Sequence, residues 1–195
     1  GIIKINDPVS KYIPEFEKLQ VAVSKDGKSL TEFEWGERKN VCPVKFVPND
    51  SVMTVLHLIN HEAGFYYATT GFPCLDSLIA EQNLPTAKNS DDLIQRLSNL
   101  PLIQHSGTDY FYGTNTTVLG LVAERATGKN LNQLVIERIT DPMKIKGLQY
   151  KLPDNEKLLP RFTGRDSVLR EANIGELDIF GPDVPDYDSN HQLYL

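Results

Sequence analysis

Only two cysteines, Cys42 and Cys74, occur in the 195 residues. They are too few, and too far apart in sequence, to read as a disulfide framework or a zinc site. We expect two unpaired thiols, which favours a reducing compartment such as the cytoplasm. Tracts rich in lysine and arginine are lacking as well. Twenty basic side chains stand against 26 acidic ones, for a formal net charge of −6. A chain so balanced has no stripe with which to neutralise a phosphate backbone, and nucleic acid is not expected as a partner. No apolar run approaches the roughly 20 residues that a membrane-spanning helix needs. The first residue is Gly1 rather than methionine, so a targeting segment can have been removed ahead of it.

What is present is enough chain for one sizeable core. Residues 5–16, INDPVSKYIPEF, carry Asp7-Pro8 and Pro14, each of which discourages helix at the residue before it. Residues 20–35 predict a β-hairpin: Val21 and Val23 alternate, Asp26-Gly27 supplies the turn, and Phe33 and Trp35 alternate on the return. Pro43 and Pro48 bound a short extended piece around Phe46.

From Asp50 the pattern becomes helical. Asp50 or Ser51 is the expected N-cap, Val52, Val55, Leu56 and Ile59 form the apolar stripe, and Gly64 ends it. His57 and His61 lie four apart on that segment, a spacing that can hold a metal. Without a third ligand signature we expect no metal, and a hydrogen-bonded, structural His61. Tyr66 and Tyr67 follow in a loop-rich stretch and are expected to pack. A short helix is predicted around Leu75 to Gln82. Another is expected to be capped by Ser90 or Asp91, with Leu93, Ile94 and Leu97 as its buried stripe and Pro101 ending it.

The stretch from His105 to Lys129 is the most informative. A Ser-Gly-Thr-Asp turn delivers Tyr110-Phe111-Tyr112 to the mouth of a helix whose Val118, Leu121 and Val122 share a face and whose C-terminus is Gly128. A phenol held there sits beside unpaired backbone N–H groups and the positive end of a helix dipole. A further helix from Leu131 to about Thr140 should stop at Asp141-Pro142. Residues 178–195, rich in aspartate and proline at their start, are expected to be an exposed acidic loop.

Four segments, in this order, resemble the serine β-lactamase and penicillin-binding-protein-like hydrolases, and within them the esterase branch related to class C β-lactamases. Asp7 to Phe16 is similar to D-P-V-x-x-Y-I-P-x-F, and Met53 to Gly64 (MTVLHLINHEAG) to I-T-V-x-x-L-L-x-H-T-S-G. Gly107 to Gly120 (GTDYFYGTNTTVLG) is similar to G-T-x-F-x-Y-S-x-x-x-x-x-L-G, and Asp141 to Ile145 to the end of a helix closing in P-L-G-M. Departures are Glu62-Ala63 for Thr-Ser, Gly113 for Ser, and Thr114 where many members have Asn.

The resemblance implies an α/β fold of the β-lactamase/transpeptidase type, of which residues 1–195 would form an internal, mostly helical part with a small hairpin. It implies acyl transfer to a serine and hydrolysis of the acyl-enzyme, on small-molecule esters or amides, with neither metal nor organic cofactor. Tyr112 would share the task of accepting the serine proton. Thr114 would hydrogen-bond the substrate, and because it offers a hydroxyl in place of the donor and acceptor of an amide, ester work is favoured over β-lactam work.

The nucleophile of that pattern is missing. No serine of the chain has a lysine three residues on, and there is no Lys-Thr-Gly. In the family S-x-x-K lies just before the Asp-Pro-Val segment and Lys-Thr-Gly well after the position of Leu195. We therefore expect the chain to be an internal piece of a larger polypeptide, its helices covered by the N- and C-terminal segments of the same fold. The alternative is a catalytically incomplete relative acting as a binding or scaffold module.

Overall fold

A computed structural model describes residues 1–146, 162–164 and 168–171. The acidic segment 178–195 lies outside them.

The chain opens with a knot of side chains rather than a regular element. The Asp7 carboxylate accepts hydrogen bonds from the Tyr12 hydroxyl (2.5 Å), the Lys11 ammonium (2.9 Å) and the Lys4 backbone N–H (3.1 Å), while Val9, Ile13 and Phe16 turn inward and are buried. The Tyr12 hydrogen bond, followed by that from Lys11, lowers the Asp7 pKa to about 2. A depressed carboxylate gives stability that is whole above its ordinary value near 3.8 and is lost as the pH falls through its folded value. Urea midpoints measured from pH 5 to pH 2 should therefore fall more steeply for the wild type than for Asp7→Asn. Equal slopes would remove this role.

Strand β1 (Gln20–Val23) pairs antiparallel with β2 (Lys45–Pro48), Val21 opposite Val47. On its other side β1 takes Leu102, whose carbonyl accepts from the Ala22 N–H at 2.8 Å. The expected return strand through Phe33 and Trp35 does not form. The turn closes, with Gly27 at φ 84°, but Ser29 and Glu32 make a reciprocal capping box that winds Leu30–Glu32 into a single helical turn. That local pairing overrides the alternation, and Trp35 stays exposed.

Helix α1 (Val55–Ile59) is also shorter than its pattern suggested. Its cap is Thr54, which exchanges hydrogen bonds with His57. The expected caps are used elsewhere: the Asp50 N–H donates to His105 Nδ1 at 3.1 Å, and the Ser51 hydroxyl donates to the Ser106 carbonyl. Val55 and Leu58 face the core, whereas Val52 and Ile59 are exposed. The chain leaves α1 through His61 at φ 57° and Gly64 at φ 98°.

Helices α2 (Pro73–Gln82) and α3 (Ser90–Ser98) form where expected, with Leu93, Ile94 and Leu97 buried, but the α3 cap is Asn89 rather than Ser90 or Asp91: its side-chain oxygen accepts the Asp92 N–H at 2.9 Å. The Arg96 guanidinium fastens the two together, reaching the carbonyls of Gln82 and Asn83 from α3. Helix α4 (Asn115–Thr127) buries Val118, Leu121 and Val122 and ends at left-handed Gly128. Arg125 ties it to Asp91 at 2.7 Å and to Glu15 at 3.3 Å. Helix α5 (Leu131–Val135) does not stop at Asp141-Pro142. A π-turn over Ile136–Thr140 carries it into α6 (Asp141–Met143), where Pro142 occupies a first-turn position that needs no N–H partner, and Lys144 at φ 54° ends it. Strands β3 (Phe162–Thr163) and β4 (Arg170–Glu171) form a separate two-stranded ladder. No helix among the described residues is long and apolar enough to cross a membrane.

Cys42 and Cys74 correct another expectation. They form a disulfide, their Cα atoms 5.9 Å apart. Separation along the chain says nothing of distance in the fold, and here the loop after Arg38–Asn40 returns to the first turn of α2. The thiol-based reason for favouring a reducing compartment falls with it.

Candidate active site

The mouth of α4 is built by close backbone contacts. The Gly107 N–H donates to the Glu62 carbonyl at 2.8 Å, and the Phe111 N–H to the His61 carbonyl at 2.8 Å. Gly113 lies directly on the Phe65–Tyr66 backbone: a Cβ there would stand 2.1 Å from the Phe65 carbonyl oxygen and 2.5 Å from the Tyr66 Cα. There is room only for a hydrogen, which accounts for glycine where the family pattern has serine.

This packing pushes Tyr112 outward, and it is 60% exposed. Its ring stacks on His61, with centroids 4.8 Å apart and planes at 28°, and leans on Tyr67 at 5.7 Å. Tyr110 tilts against the same imidazole at 6.0 Å. His61 is in turn met from below by Asn115, the first residue of α4, which is fully buried. The Asn115 amide nitrogen is 3.3 Å from His61 Nδ1 and 3.4 Å from the carbonyls of Phe65 and Phe111. Facing two carbonyls, that nitrogen is the donor, so Nδ1 of neutral His61 accepts and the ring proton sits on Nε2.

Burial lowers the His61 pKa, favouring the neutral ring. Burial, and after it the neighbouring Tyr112, raises that of Tyr67. Burial pushes Tyr66 up further still, with Asp76 adding to it. Tyr66 and Tyr67 thus pack as expected, both nearly inaccessible, but Tyr67 packs against the exposed phenol as well as the core.

The other expected site residue is placed differently. Thr114 sits beside Tyr112 in sequence yet is 1% exposed, its hydroxyl enclosed by protein. A ligand lying over Tyr112 would not reach it without movement of the loop. His57 and His61 do not converge on a common point: His57 Nδ1 accepts from the Thr54 N–H and His61 Nδ1 from Asn115. Sequence reasoning passed over Asn115. Its one signal was a polar residue in register with Val118 and Val122, at a core position of the helix.

The fold that carries this arrangement is known from solved enzymes. Simvastatin synthase (LovD) from Aspergillus terreus superposes with a TM-score of 0.66 over 93% of this chain and 44% of that one, at 22% identity. The fold is that of the β-lactamases and transpeptidases. The family model described as Beta-lactamase matches residues 1–172, and the chain belongs to that family. Among curated relatives, acyltransferase mokF of Monascus pilosus is 28% identical over 83% of this chain and 35% of its own length. The lovastatin esterase of Penicillium rubens is 30% identical over 83% of this chain and 37% of its own length. The chain thus spans about a third of the length of the curated relatives it matches.

Proposed function

We propose that this chain carries the tyrosine-bearing side of a serine acyl-enzyme site that takes the acyl group of a small-molecule ester or amide and passes it to water or another acceptor. The observation that supports it most directly is the Tyr112 phenol, exposed at the start of α4 yet held by two rings, at the place the family motif gives to the proton-transfer tyrosine.

In this reading the serine hydroxyl attacks the carbonyl, and Tyr112 takes up its proton and returns it to the leaving group. A free phenol titrates near pH 10 and is a poor base by itself, so a cation close to Tyr112 must favour its ionised form. That serine and lysine, in the S-x-x-K pattern, are not among these residues. We assign them to the full-length protein, whose remaining segments would cover the apolar flank formed by Ile2, Leu134, Val135 and Ile139. Thr114, being enclosed, would shape the site from behind rather than touch substrate in the resting state.

The test uses the full-length protein with a fluorophosphonate probe, a fluorescent penicillin and a short-chain p-nitrophenyl ester. Covalent labelling together with ester hydrolysis is expected. Failure to label with either probe and to hydrolyse the ester would end the enzyme reading in favour of a binding or scaffold module.

A further inference from the structure

An exposed tyrosine that must exchange a proton along one line has to keep its ring from turning. Tyr112 has little protein around it, and its support comes from the flat face of His61 and the tilted ring of Tyr67. His61 is itself held in an unusual way. Its backbone lies in the left-handed region at φ 57°, which a residue other than glycine seldom adopts. Its carbonyl accepts the N–H of Phe111, the residue just before Tyr112. Its ring is fixed from beneath by the buried Asn115 amide, 3.3 Å from Nδ1. Main chain and side chain of one histidine are therefore both engaged with the residues that carry the phenol.

Asn115 explains why the ring has one orientation. Two carbonyls, of Phe65 and Phe111, fix which end of the amide points where. Only a lone pair at Nδ1 suits the NH₂ it meets, and an Nδ1–H would oppose donor to donor. The imidazole is thereby oriented from inside the core, and its outer face is left for the Tyr112 ring.

We propose that His61 is the positioning residue of this site: oriented by Asn115, its imidazole holds the Tyr112 ring in the attitude from which the phenol transfers its proton. The catalytic part of this inference rests on the role proposed for Tyr112, while the ring geometry can be measured apart from it. His61 touches neither substrate nor the reacting atoms and works through Tyr112.

The experiment compares His61→Asn with the wild type in the full-length protein. Asparagine is among the residues best suited to left-handed backbone, so a merely structural turn would tolerate the change. A positioning role predicts a fall in kcat of roughly 10-fold to 10²-fold, the scale of a misplacement of about 1 Å, with KM within about twofold. His61→Phe, which restores a flat face, should turn over several times faster than His61→Asn. In a Tyr112→Phe background His61→Asn should cost nothing more, because the two act as a unit. Unchanged kcat in His61→Asn overturns the proposal, and so does a full additional loss in the double variant. Independently of turnover, nuclear Overhauser contacts between the His61 and Tyr112 ring protons are expected in the unmutated protein near neutral pH, and their absence also overturns it. If Tyr112→Phe alone leaves turnover intact, the catalytic part falls with the role of Tyr112, and the ring contacts then decide only whether His61 holds the ring.

Discussion

Tyr112→Phe in the full-length protein is expected to lower turnover on a p-nitrophenyl ester by roughly 10²-fold or more, the lower range for losing a proton-transfer partner. The change removes one oxygen and leaves the ring, so its stack on His61 and its contact with Tyr67 persist. Because the side chain is exposed, stability should stay within about 0.5 kcal/mol of the wild type, as for other surface substitutions. The loss should fall on kcat and kcat/KM alike, the signature of an interaction used in the transition state. A variant with wild-type turnover would strip Tyr112 of its role. One that loses activity together with its unfolding midpoint would show a packing residue instead.

Gly113→Ser should be strongly disruptive, its added Cβ having the least room of any described glycine's, although serine is what the family pattern carries at this place. The added Cβ meets the Phe65 carbonyl oxygen and the Tyr66 Cα, both backbone atoms that cannot swing aside. The cost should exceed the ~1–3 kcal/mol of ordinary core overpacking, because the whole 65–67 segment or the start of α4 has to move. Asn115 draws on the Phe65 carbonyl and Tyr67 leans on Tyr112, so activity should fall as well. Gly113→Ala should behave in the same way, since the clash is at Cβ and not at the hydroxyl. Chemical denaturation decides it: a wild-type midpoint for either variant would show that this close approach is not maintained in solution.

The helical faces of α3 and α4 were legible in the sequence because they lie wholly against the core, where spacing and burial coincide. Helix α1 was not, because its start is set by a reciprocal bond between Thr54 and His57 rather than by the apolar stripe. The hairpin failed for the same kind of reason, with Ser29 and Glu32 redirecting the chain before the apparent return strand could pair. At the site, the local motif marks Tyr112 and the adjoining Thr114. What supports Tyr112 is a meeting of His61 with Asn115, 54 residues apart in the chain, and no pattern confined to a window of sequence conveys such a meeting. Burial of Thr114 was equally out of reach, since it follows from how tightly Gly113 sits on its neighbour.

The Cys42–Cys74 bond closes the intervening stretch of chain into a ring, and His61, Phe65 and Tyr67 all lie inside that ring while Tyr112 lies outside it. A protease that cut one peptide bond between residues 42 and 74 would open the loop without releasing either piece, and the nicked molecule would still run as one band until a reductant was added. The rings on which the phenol rests are in that sense tethered at both ends, whereas the phenol itself lies on chain that this closure does not encircle.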